Sequence, residues 1–97
     1  MKKIYDSVAM GILAVNELKD LIHTERNGER REALEGVRYA YYYLIDNMIK
    51  QFGVSHQDVE NALVELGHTY READEIATEY EKWACHVVKI NERGDNT

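Results

Sequence analysis

Four histidines, one cysteine and several spaced carboxylates are the residues of this sequence with the means to do chemistry. His23, His56, His68 and His86 form no His-x-x-x-His pair, the spacing that sets two imidazoles on one helical face around a metal. Glu65-x-x-His68 has the spacing by which a helix offers two ligands to iron, but Gly67 interrupts it and no second copy exists. Cys85 and His86 are adjacent, so a helix points them in different directions, and Cys85 reads as a buried, inert thiol. No metal site, cofactor or catalytic residue is predicted, and the protein is not expected to be an enzyme.

Carboxylates recur at helical spacing in Glu17/Asp20, Glu29/Glu32 and Glu72/Glu75/Glu79. Magnesium-dependent helical nucleotide pyrophosphohydrolases use Glu-x-x-Glu followed by Glu-x-x-Asp. Here the order is reversed, and the runs read as solvated charge. Glu72, Glu75 and Glu79 are instead candidates for contact with a basic protein partner. The stretch from Arg38 to Tyr43 offers a second kind of contact. Tyr39, Tyr42 and Tyr43 spread around too much of a helix to share one core, and tyrosine is favoured at interfaces. Arg38 is expected to stack over Tyr42 one turn on. These four residues are predicted to divide between core and partner interface. A sharper version makes the tyrosines a wall for a nucleotide base, with Arg26, Arg30 and Arg31 as phosphate ligands and a second subunit completing the pocket.

The charge distribution narrows the partners. The net charge is −6. Residues 1–54 are neutral overall, whereas residues 55–81 carry eight acids against Arg71 alone. Such a segment repels nucleic acid and favours a basic protein. The apolar run from Val8 to Val15 is too short to span a bilayer. The leading Met1-Lys2-Lys3 is followed by Asp6 and by no small-residue cleavage site, so a secretory leader is not expected. A single cysteine suits a reducing compartment, and the expected location is the cytoplasm.

Proline is absent, and the apolar share of 44% suffices for a core. Helical periodicity predicts four helices in a single domain, residues 1–97. The first runs from about Lys3 to Arg26, with Ile4, Val8, Ile12, Val15, Leu18 and Ile22 as its stripe and Ser7, Gly11 and Ala14 as a ridge where another helix can come close. Asn27-Gly28 is expected to end it in the left-handed conformation. The second helix runs from Glu29 to Phe52. One stripe is Leu34, Val37, Tyr41, Leu44 and Met48, and another is Tyr42, Ile45, Ile49 and Phe52. So wide an apolar face predicts that this helix is central, and that the protein self-associates. Ser55 caps a short third helix, His56 to Leu66, that buries Val59, Ala62, Leu63 and Leu66. Thr69-x-x-Glu72 is a capping box for a long last helix burying Ala73, Ile76, Ala77, Tyr80, Ala84 and Val87. Gly94 to Thr97 is a predicted frayed tail.

Two local resemblances bear on function. Met48 to Leu63, with Gly53-Val54-Ser55 and then Val59, Ala62 and Leu63, resembles the helix-turn-helix of bacterial regulators. That resemblance implies DNA binding through the helix bearing His56, Gln57 and Asn61. The same helix carries Asp58, Glu60 and Glu65 and no Lys or Arg, so it lacks the phosphate contacts that dominate DNA affinity. Asp58 to Ala73, with Ala62-Leu63-Val64-Glu65-Leu66-Gly67-His68, is similar to small three-helix domains of the ubiquitin-associated type, which implies protein binding.

The sequence thus predicts an all-α, four-helix bundle-like domain: a long helical hairpin, a short helix and a long C-terminal helix. Its expected function is stoichiometric binding to a protein partner as an adaptor, regulator or inhibitor. A DNA-binding regulator and a nucleotide-binding oligomer are the alternatives. Small acidic chains of this kind are common among phage and mobile-element products.

Overall fold

The computed structural model describes residues 1–95, with side chains through residue 90. Four helices form: α1 (Lys2–Thr24), α2 (Gly28–Phe52), α3 (His56–Glu65) and α4 (Tyr70–Asp95). The protein is an all-α bundle-like fold, and no strand occurs among the described residues. Gly94 and Asp95, expected in a frayed tail, are the last residues of α4; residues 96–97 lie outside the described residues. No helix among the described residues is long and apolar enough to cross a membrane.

Local chemistry sets the ends of the helices. Ser55 Oγ accepts from the Asp58 N–H at 3.1 Å, while the Ser55 N–H donates to Asp58 Oδ2 at 2.9 Å. Thr69 and Glu72 form the same reciprocal pair at the start of α4, at 3.1 and 2.8 Å. Each pair satisfies two N–H groups that a helix start leaves open. Gly53 ends α2 at φ 62°, a conformation that costs a Cβ-bearing residue about 1–2 kcal/mol. The turn drops Val54 into the core, with its N–H donating to Ile49 O.

Asn27-Gly28 behaves differently from expectation. α1 already stops at Thr24, and Glu25 is extended rather than left-handed. Asn27 instead caps α2, its Oδ1 accepting from the Arg30 N–H at 3.1 Å. Asparagine suits both jobs, and the extended Glu25 had already broken the α1 path.

The core gathers Val8, Ala9, Ile12 and Val15 of α1, Ile45 of α2, Val59, Ala62 and Leu63 of α3, and Ala73, Ala77 and Tyr80 of α4. It corrects the expectation that the second helix is central. α1 packs against all three other helices, while α2 leans mainly on α1 and α3 packs on α1 and α4. Close approach explains the role of α1. A Cβ on Gly11 would lie 3.0 Å from Ile45 Cδ1, so α2 rests directly on the α1 backbone there. On another side of α1, Asn16 Nδ2 donates to Ile76 O of α4 at 3.1 Å, and Lys19 pairs with Glu79 at 2.6 Å. On α2 the core side is formed by Tyr42, Ile45 and Ile49, joined by Met48 from the other stripe, while Phe52 is exposed. Leu66, expected to be buried, is exposed at the C-cap of α3.

Two outcomes follow. Leu63→Ala, at a fully buried site of α3, is expected to cost about 3 kcal/mol by urea denaturation, and a change near zero would contradict the packing of α3. Glu72 has its carboxyl held below the ordinary carboxylate value of 4.5, first by the Thr69 N–H and then by the Thr69 hydroxyl. A lowered pKa adds stability that is full above the unfolded value and is lost as pH falls through the folded one. Glu72→Ala should therefore lose less stability than the native protein between about pH 6 and about pH 3. Equal acid dependence of the two would contradict the cap.

Candidate functional site

The aromatic residues of α2 divide between the interior and the surface. Tyr42 is 4% exposed, while Tyr43 is 53% exposed and Tyr39 half-buried. The interior ones converge on Trp83 of α4. Tyr42 meets its ring edge-on at 5.7 Å and 89°, Tyr39 lies at 6.2 Å, and Tyr80 at 6.3 Å. Tyr43 touches Tyr42 edge-on at 5.3 Å. Offset and edge-on rings of this kind are favourable beyond the area they bury. Burial pushes the Tyr42 and Tyr80 hydroxyls above their ordinary pKa, so both stay neutral.

Arg38 lies over Trp83, its guanidinium carbon 4.1 Å from the ring centroid, and not over Tyr42 as the i+4 spacing suggests. Tyr42 turns inward, which leaves the ring on α4 as the available face. Desolvation lowers the pKa of Arg38, opposed by Glu79 and then Tyr39, and its Nε is buried without a hydrogen-bond partner among the described residues. The cation–π contact, worth about 0.5–2 kcal/mol, offsets part of that desolvation.

The residues expected to share a nucleotide pocket are dispersed. A cavity of about 290 Å³ is lined by Arg38, Tyr39 and Trp83 without an arginine of the hairpin tip. A groove of about 470 Å³ is lined by Arg30 with Leu21, Leu34 and Val37 and no tyrosine. Arg31 closes the tip instead, donating to Glu25 O at 2.6 Å, and Arg26 is exposed. The acids of α4 are also engaged locally: Glu72 in its cap, Glu75 with Arg71 at 3.5 Å, and Glu79 with Lys19. In the stretch that resembles a helix-turn-helix, α3 packs on α1 and α4 rather than on α2, and Gln57 donates to Asn61 at 3.0 Å. Cys85 is exposed, not buried as its residue type suggests.

Two features emerge that the sequence does not locate. The first is an uncovered apolar face. Val37, Tyr41 and Leu44 are 45%, 40% and 64% exposed on one side of α2, and Leu21 of α1 shares the groove at their upper end. Met10 and Leu21 are exposed on one face of α1 by helical spacing. The width of the stripe already predicts self-association from the sequence, but not which of its residues stay exposed. The second is a cluster around His56. Its Nδ1 lies 2.6 Å from Glu81 Oε1, and its Nε2 lies 3.0 Å from both Glu60 Oε1 and Asp74 Oδ1. The hydrogen bond to Glu81 is the main cause that raises the His56 pKa, against desolvation, so the ring favours the imidazolium that donates from both nitrogens. His56 and Glu60 stand four residues apart on α3, a spacing that could have paired them, while Asp74 and Glu81 come from α4. No family model, curated protein or solved structure matches the chain.

The Trp83 cluster yields a contrast in stability. Trp83→Ala is expected to cost about 3 kcal/mol, since it removes the ring on which Tyr39, Tyr42 and Arg38 of α2 meet α4. Arg38→Leu is expected to shift stability by less than about 1 kcal/mol, because the lost cation–π contact is balanced by relief of a desolvated, unpaired Nε. Chemical denaturation followed by circular dichroism measures both. A large loss in Arg38→Leu would mean that the charge is essential to the packing.

Proposed function

We propose that the protein works by stoichiometric binding without catalysis, as a small adaptor, regulator or inhibitor. It pairs with a second copy through the outer face of the α1–α2 hairpin and offers the acidic α3–α4 side to a basic protein partner. The observation that carries this reading is the exposed stripe of Val37, Tyr41 and Leu44, which continues into the Leu21 groove. From Leu34 through Val37, Tyr41 and Leu44 to Met48 the stripe holds no charge. Contiguous apolar surface of that kind marks an interaction site in a protein of this size.

Charge supports the choice of occupants. Two copies at −6 each repel one another, but the hairpin half is neutral overall, so pairing hairpin to hairpin keeps the acidic halves apart. The acids of residues 55–81 remain on the other side. Their paired members Glu75 and Glu79 are held by single surface bridges, which are weak and easily exchanged for a partner's lysines.

Light scattering on the purified protein tests the pairing. The expected result at tens of micromolar is twice the chain mass of 11.3 kDa. Tyr41→Ala is expected to weaken association by about 2 kcal/mol, the scale of an interface anchor. The double variant Tyr41→Asp, Leu44→Asp should be a monomer with an unchanged helical spectrum. A native protein that stays at the chain mass would overturn the pairing. For the acidic side, Glu72→Lys with Glu75→Lys and Glu79→Lys should abolish capture of a partner that native protein retains, and undiminished capture would remove that surface from the proposal.

A further inference from the structure

We propose that His56, Glu60 and Asp74 bind one divalent first-row transition-metal ion, which clamps the start of α3 to α4. One imidazole nitrogen and two carboxylate oxygens from these residues lie within 4.8 Å of one another. The two nitrogen–oxygen separations are each 3.0 Å. Ligands bonded to such an ion at about 2.0–2.2 Å sit close to that far apart, so each carboxylate already stands near its place beside the nitrogen.

The nitrogen sets this cluster apart from an acidic patch. An imidazole beside two carboxylates suits zinc, iron, cobalt or nickel, whereas magnesium prefers oxygen alone. The other face of the ring is already arranged for the task. Glu81 Oε1 accepts from Nδ1–H at 2.6 Å, which orients the ring and leaves Nε2 to donate its lone pair. Metal-bound histidines almost always have such a partner on the second nitrogen. Glu81 is thus a positioning residue, and the ion takes the place of the ring proton that Nε2 shares with Glu60 and Asp74.

The surroundings select a cation and hold the donors still. Among the described residues the ion pairs of Glu60, Asp74 and Glu81 are with His56, so three carboxylates share one imidazole. Glu60 is the least exposed of the three, with 15% of its side chain open. His56 and Glu60 stand in the first turns of α3, behind the Ser55–Asp58 cap, and Asp74 follows the Thr69–Glu72 cap. Asp74 has 62% of its side chain open, so solvent reaches the Nε2 side and can supply the waters that complete coordination.

Titration calorimetry of the full chain with Zn²⁺, together with native mass spectrometry, tests the site. The expected result is one Zn²⁺ per chain, undisturbed by excess Mg²⁺. His56→Gln and Asp74→Asn should each abolish saturable binding. Glu81→Gln should weaken it about 10- to 100-fold, the usual effect of losing the partner of a ligand histidine. Zn²⁺ should also raise the melting temperature of the native protein and leave that of His56→Gln unchanged. Circular dichroism establishes that each variant is folded, and His23→Gln serves as a remote histidine control that keeps native affinity. Absence of saturable binding to the native protein would overturn the proposal. So would binding that survives His56→Gln and is lost in Cys85→Ser, since that would place the ion at Cys85.

Discussion

The structure depends on the need to cover α1. From Val8 to Val15 this helix is apolar almost all the way round, and a helix of that kind must be buried on several sides. The three other helices are spent on it. α2 closes over Gly11, where Ile45 rests on bare backbone, while α3 and α4 take the sides that hold Val8, Ile12 and Asn16. With these sides of α1 covered, no described element remains for the outside of α2. That face keeps its own apolar stripe and stays exposed. The stripe is therefore a consequence of too few helices for the apolar surface the chain carries, and a second polypeptide is the ordinary physical remedy.

A second constraint holds α2 against the last helix. Beyond their common neighbour α1, the two are joined by rings: Tyr39 and Tyr42 of α2 converge on Trp83, with Tyr80 on its other flank and Arg38 above. This draws the large side chains of α2 to the α4 side and leaves Val37, Tyr41 and Leu44 on the opposite edge. The division also sorts charge. The hairpin is neutral overall, and the acidity lies on α3 and α4. One molecule thus presents an apolar face on a half with no net charge, and an acidic face.

Much of the fold is legible in the sequence, for reasons that are local. Ser55 with Asp58 and Thr69 with Glu72 are caps made within four residues, so spacing alone reveals them. The apolar positions of α1 and α4 follow from period 3.6. What periodicity does not carry is which helix receives neighbours. α2 has two apolar stripes and reads as central, yet α1 has the small residue that lets a partner come close, and closeness decides the packing. Asn27-Gly28 misleads because asparagine serves equally at the end of one helix or the start of the next. Arg38 has Tyr42 at the right spacing, but the stacking ring comes from α4, outside the reach of helical arithmetic. The His56 cluster is hidden for the same reason: Asp74 and Glu81 are brought to it by tertiary packing of α4 on α3.

The central claim is that the outer α1–α2 face is a docking surface, and three consecutive tyrosines allow a direct test. Tyr41 lies on that face, Tyr42 is buried against Trp83, and Tyr43 is exposed elsewhere on α2. Iodination of tyrosine, read residue by residue by mass spectrometry across a dilution series, reports all three at once. The account predicts that Tyr41 reacts in dilute protein and becomes protected as concentration rises, while Tyr43 reacts throughout and Tyr42 at no point. Reaction of Tyr41 that stays independent of concentration and equal to that of Tyr43 would contradict it.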